Sequence, residues 1–169
     1  MKRTALLGFA LLASAAALAQ KVDIDFDESV DFSLFKTFAV RGGRINAKHP
    51  SLDNSLVEKK IQNAIVAQLK AKGLTEATGR ADLNAGYLLG ARGKTEIDVV
   101  PAGWRGRGRR RVVQHYTQGT LVLDLRDAAR NQLVWRAVCI ETASDPGKID
   151  DRIGKDVKKA FEKFPPKKK

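Results

Sequence analysis

The chain has one cysteine, two histidines and one methionine among 169 residues. The lone cysteine, Cys139, excludes an internal disulfide, so stability has to come from packing rather than cross-links. With only His49 and His115 present, the side chain most used for proton transfer near neutral pH is nearly missing. No serine stands in a nucleophile-elbow or penicillin-binding pattern. His, Cys and carboxylates do not recur at metal-ligand spacing. Gly103-x-x-Gly106-x-Gly108 lacks the Gly-Lys-Ser/Thr ending and the following helix of a phosphate loop. The reading is therefore of a chain that is not an enzyme and that uses no cofactor or metal, with His115 a strand residue and Cys139 a core residue. Acidic residues are also few, 19 against 31 basic ones for a net charge of +12, which favours anionic surfaces without bearing on fold.

Long apolar runs are missing everywhere except at the start. Met1-Lys2-Arg3-Thr4 precedes an apolar stretch from Ala5 to Leu12, then small residues to Ala17-Leu18-Ala19, in the order of a secretory signal peptide spanning 1–19. That stretch is shorter than the roughly 20 residues of a membrane-spanning helix, and no later run approaches the length. The mature chain is expected to begin at Gln20, to carry no transmembrane segment and to reside in the periplasm or peripherally on the envelope. Residues 20–164 suffice for a single domain with a true core.

What is present is organised around a hairpin. Leu121, Leu123 and Leu125 alternate with Val122, Asp124 and Arg126, and Leu133, Trp135, Ala137 and Cys139 form a second row, the period-two pattern of a half-buried sheet. Asn131 between them suits a left-handed turn position. Val22-Asp23-Ile24-Asp25-Phe26 reads as an edge or half-exposed strand, and a short strand ends at Val40. Asp23, Asp25, Asp27 and Glu28 lie close enough to raise a divalent-metal site, but alternation places the aspartates on a solvent face and the spacing fits no EF-hand loop. Arg41 to Pro50 reads as a loop by composition.

Leu52, Leu56, Ile61, Ala64, Ile65 and Leu69 fall at helical spacing. Ser51 is one plausible N-cap and Ser55-x-x-Glu58 has the form of a capping box, while Gly73 ends the helix. Thr75 to Arg80 is a polar connection, and strand character resumes from Ala81 to Ala91. Between that strand and the organising hairpin, 98–111 is basic and glycine-rich, and composition predicts a mobile hairpin tip without a stable element. Ile149, Ile153, Val157, Ala160, Phe161 and Phe164 mark a second helix, stopped by Pro165-Pro166, after which 165–169 is a basic tail.

The combination Asp25-Phe26-Asp27, Asp31-Phe32-Ser33-x-Phe35-Lys36-Thr37-Phe38, Leu69-x-x-Lys72-Gly73, Ala81-Asp82-Leu83, Tyr116 to Leu125, and Leu133-Val134-Trp135-Arg136 resembles a family of bacterial envelope lipoproteins catalogued as domain-of-unknown-function family 4136. The resemblance spans nearly all of the mature chain and implies fold and compartment, but no reaction. Many members carry a lipidated cysteine directly after the signal. Here Gln20 stands instead, so there is no lipobox cysteine. Their hairpin tip is often rich in glycine and aromatics, whereas this one keeps Trp104 and is dominated by arginine.

The fold expected is α+β, an antiparallel sheet of about five strands with two amphipathic helices on one face, by the two-layer rule. Two functions stay open. One is a non-catalytic exported envelope protein acting through binding or structural contacts. The other is a polyanion-binding module for anionic lipid or nucleic acid, using Arg105, Arg107, Arg109, Arg110 and Arg111. Partners are then an envelope protein or an anionic envelope surface; nucleic acid is disfavoured, because Trp104 is the only aromatic in the tip.

Overall fold

The computed structural model describes residues 21–102 and 108–167. The expected signal peptide, Arg105, Arg107, Trp104 and the end of the basic tail lie outside the described residues. Six strands, a short 3-10 turn at Phe32–Leu34 and two helices follow in the order β1 (Lys21–Phe26), β2 (Thr37–Ala47), α1 (Ser55–Ala71), β3 (Thr75–Glu76), β4 (Leu83–Ala102), β5 (Gly108–Asp127), β6 (Gln132–Ala143) and α2 (Gly147–Glu162). They form one sheet, ordered β1-β6-β5-β4-β2-β3.

The α+β class holds, but the sheet is mixed rather than antiparallel and has six strands, not about five. β2 runs parallel to β4 and to β3, because α1 carries the chain back to the end of the sheet from which β2 started, and a strand reached through such a crossover must be parallel. β4, β5, β6 and β1 pair antiparallel in succession.

Two expected loops are strands. Arg41-Gly42-Gly43-Arg44 belongs to β2, whose pairing with β4 shifts register between Val40 and Gly43. Gly42 sits at φ +83°, and a Cβ on Gly43 would fall 2.2 Å from the Tyr87 ring. The two glycines thus make a bulge and a bed for an aromatic ring. The polar connection after α1 likewise contributes β3.

The organising hairpin forms with its expected inward rows, except that Leu133 leaves the second row and Val134 is buried in its place. Leu121, Leu123, Leu125, Trp135, Ala137 and Cys139 are buried, and Asn131 takes φ +53° at the turn. The pairing shifts between Leu125 and Arg126, so that Leu125 faces Trp135 and Arg126 faces Leu133. Val134 is the extra residue, and both it and Trp135 turn inward.

Neither serine caps α1. Asn54 does, its side chain accepting from the amides of Leu56 and Val57. At the other end Leu74 N–H reaches Leu69 C=O at 3.1 Å and Gly73 N–H reaches Lys70 C=O at 2.9 Å, a Schellman closure in which Gly73 adopts φ +88°. An alanine there meets no neighbour but must adopt the left-handed conformation. Gly73→Ala is expected to lower stability by about 1 kcal/mol, read as a lower urea midpoint at unchanged slope.

Both helices cover one face. Val57, Ile61, Ile65 and Leu69 of α1 and Ile153, Val157, Ala160 and Phe161 of α2 meet Leu83, Ala85, Tyr87, Leu89 and the hairpin leucines in the main core. Part of it is aromatic, with Trp135 stacked on Phe161 at 5.1 Å and Phe164 edge-on to both.

Candidate functional site on the projecting ribbon

β4 and β5 are each 20 residues long, about twice what the body of the sheet can pair. β2 leaves β4 after the Ala47–Ala91 pair, and β6 leaves β5 at the Ala143–Thr117 pair. Beyond that point, among the described residues, β4 and β5 pair only with each other, out to Ala102 opposite Gly108. At roughly 3.3 Å per residue the excess is a two-stranded ribbon roughly 30 Å long with both edges unpaired. A second small core of Ala47, Leu52, Ala143 and Ile149 closes the body at its base. There α2 presses so close that a Cβ on Gly119 would lie 2.8 Å from Ile149.

Within the stretch 98–111, expected from composition to lack a regular element, 98–102 and 108–111 are paired strands, while 103–107 lie outside the described residues. Antiparallel hydrogen bonds need backbone groups rather than a buried face, and the valines, isoleucine and threonine interspersed here favour extended backbone. Composition hid this, since arginine and glycine counted against a core the ribbon does not need.

Alternation sorts the ribbon's side chains onto two surfaces. The face continuous with Leu89 and Leu121 carries Thr95, Ile97, Val99, Arg109, Arg111, Val113 and His115, with Ile97 opposite Val113 and Val99 opposite Arg111. Ile97, Val99 and Val113 are 61%, 54% and 52% exposed. Both ribbon carboxylates, Glu96 and Asp98, stand on the other face with Lys94, Arg110, Gln114 and Tyr116, and Gln114 donates to Asp98 at 3.4 Å. Among the described residues no ion pair engages Arg109, Arg110 or Arg111. All three are exposed, two on the apolar face and one behind it.

The other singled-out residues stay apart. His115 lies on the ribbon, its Nδ1 3.2 Å from Thr95 Oγ1. His49 lies in the β2–α1 connection, 2.6 Å from Ser51 Oγ. Cys139 is buried under α2, where its Sγ donates to the Asp156 carbonyl and burial pushes the thiol up to about 12, far from the thiolate a nucleophile needs. Two of the four N-terminal carboxylates have local partners. Asp23 pairs with Lys21, and Asp27 accepts from Ser29 N–H, Ser29 Oγ and Gln132, contacts with Ser29 that hold its carboxyl below the usual range.

A cavity of about 680 Å³ lies at the opposite end of the sheet, lined by Leu34, Phe35, Arg41, Arg80, Asp82 and Asn84 among others. Its polar groups largely serve the chain itself. Asp82 accepts from the amides of Lys36 and Thr37 and from Thr37 Oγ1, which lowers its pKa, and Arg41 donates to Gly79 C=O at 2.6 Å.

One cluster escaped the sequence reading. Glu141 and Asp156 are both buried. Arg152 donates to Glu141 at 2.6 Å, and desolvation, then the neighbouring Glu141 charge, raises Asp156 to about 7. The signal was present, since Glu141 continues the inward row of Cys139 and Asp156 stands three residues after Ile153 on the buried stripe of α2.

A family model described as domain of unknown function DUF4136 matches residues 22–166. The chain belongs to this family. Among solved structures, a DUF4136 family protein from Bacteroides thetaiotaomicron is 14% identical, with 86% of this chain and 96% of that one covered and a TM-score of 0.50. A PDZ domain protein from Parabacteroides distasonis is 16% identical at a TM-score of 0.59, and this DUF4136 chain, 88% covered, spans 36% of it. The PelC dodecamer from Paraburkholderia phytofirmans is 13% identical at a TM-score of 0.48, with 85% and 95% covered. No curated protein matches. At these identities the likeness concerns the DUF4136 fold alone. Among the described residues no helix is long and apolar enough to cross a membrane.

Proposed function

We propose that this chain is a non-catalytic exported envelope protein that acts through binding contacts, with the β4–β5 ribbon as its contact element. The observation that carries the reading is the ribbon's geometry. It leaves the body with both edges unpaired, and an isolated two-stranded ribbon is at best marginally stable in water. Edges of that kind are ordinarily shortened, covered or charged, since they invite pairing. A long pair of strands that contributes nothing to the body's core is explained by contact with something else. Export is supported by the charged, apolar and small-residue order of 1–19.

The exposed Arg109, Arg110 and Arg111 favour a second reading, a polyanion-binding module. Lipid suits it better than nucleic acid, because Trp104 is the only aromatic residue in the tip on which a base could stack.

Replacing 95–115 with an Asn-Gly turn joining Lys94 to Tyr116, which are partners across the two strands, tests the reading. The shortened protein should keep its circular dichroism and cooperative melting, since the main core lies outside the ribbon, and should lose its association with the envelope fraction in cells. Undiminished association would refute the ribbon as the contact element.

A further inference from the structure

We infer that the helix-side face of the ribbon is a membrane-docking face that lies at headgroup level on a bilayer containing anionic phospholipid, with Ile97, Val99 and Val113 set into the interface and Arg109 and Arg111 on lipid phosphates. This rests on the ribbon being the contact element, and it names the partner and the side of the ribbon that meets it.

Three observations converge. The face is apolar and cationic together, with Ile97, Val99 and Val113 each more than half exposed and Arg109 and Arg111 in the same alternation row. Both ribbon carboxylates, Glu96 and Asp98, stand on the opposite face, so the approaching side presents no negative charge to a phosphate surface. The unpaired edges fix the depth. Their N–H and C=O groups would be stranded in hydrocarbon, which excludes crossing the bilayer core, but they stay hydrated among headgroups. Apolar burial and attraction to anionic lipid act additively in such interfacial elements. The guanidinium fork matches phosphate oxygens in paired hydrogen bonds, so arginine suits this position better than a point charge.

A second copy of the chain is the competing occupant, and its acidic edge strand β1 would be the complementary surface. That strand is poorly suited to the task, because Asp23 already pairs with Lys21 and Asp25 lies within the field of Arg136.

The test is co-sedimentation of the purified protein with phosphatidylcholine vesicles made with and without phosphatidylglycerol, at low and high salt. Four proteins are compared: wild type, R109S/R111S, I97S/V99S/V113S and the opposite-face variant R110S. Wild type should bind only the anionic vesicles and release as salt screens the attraction. R109S/R111S and I97S/V99S/V113S should each lose tenfold or more in affinity with unchanged circular dichroism, while R110S stays within threefold of wild type. The apolar variant should keep the salt dependence that the arginine variant loses. Wild type failing to bind anionic vesicles at low salt would overturn the inference. So would R110S losing as much as R109S/R111S, or an oligomer in sedimentation velocity that R109S/R111S dissolves without any vesicle binding. The ribbon-shortened protein separates the two claims, since loss of envelope association without lipid binding by wild type refutes the membrane and keeps the ribbon as contact element.

Discussion

Asp156→Asn is expected to make the protein more stable at pH 7 to 8, by about 2 to 4 kcal/mol in urea unfolding. Asp156 is 3% exposed on α2 beside Glu141, which is 6% exposed on β6. Arg152 donates to Glu141, and Lys159 is the other cation that acts on Asp156. Both cations lower the Asp156 value, but burial outweighs them. Burial first, then the Glu141 charge, raises Asp156 from 3.8 to about 7, with a hydrogen bond to Glu141 acting in the same direction.

The sign follows from proton binding. Between the unfolded value of 3.8 and the folded value of about 7, the folded state holds a proton that the unfolded state has released, so stability falls as pH rises through that window. This contribution is fully present below the unfolded value and is gone above the folded one. Asparagine stays neutral throughout and can still donate to Glu141. The difference between variant and wild type should thus be small near pH 4, grow to about pH 7 and level off. A difference that does not change with pH would contradict the assignment of the titration to Asp156. Asp27 and Asp82, whose folded values are lowered, act in the opposite direction at lower pH and cancel in the comparison.

Trp135→Ala is expected to cost about 3 to 5 kcal/mol, the range for removing a large aromatic from a core. Trp135 is fully buried and is the largest such side chain. Its ring is stacked on Phe161 at 5.1 Å and meets Phe164 edge-on at 5.6 Å. Removing it leaves those two rings and Phe32, itself edge-on to Phe164, around a cavity. For a domain of this size the melting temperature should drop by roughly 10 °C. Trp135→Phe should cost clearly less, because it keeps one ring in the stack and removes an indole N–H that is buried without a partner among the described residues. Far-ultraviolet circular dichroism reads both, since the variants lose the reporting tryptophan. Equal costs for alanine and phenylalanine would show that the stack itself contributes little.

The chain alone determined the elements whose signal is local. The row Leu121, Leu123, Leu125 and the turn at Asn131 were legible because period-two burial and a left-handed turn are set by consecutive residues. So were the apolar stripe of α2, the stop at Gly73 and the later part of the α1 stripe, whereas Leu52 precedes that helix and Leu56 is 75% exposed, Val57 being buried in its place. Tertiary structure decided what depends on residues far apart. Arg41-Gly42-Gly43-Arg44 became strand because β4 lies alongside it and the Tyr87 ring rests on Gly43. The parallel pairing of β2 with β4 follows from where α1 returns the chain, which no strand pattern encodes. Of the expected arginine site, Arg109 and Arg111 share the apolar face while Arg110 lies behind it, a division made by the register of β4 against β5. Glu141 and Asp156 looked like ordinary polar residues until β6 and α2 packed and took both from water. Periodicity records which way a side chain points along its own element; what it meets there depends on the neighbouring element, and that is settled only when the sheet and helices pack together.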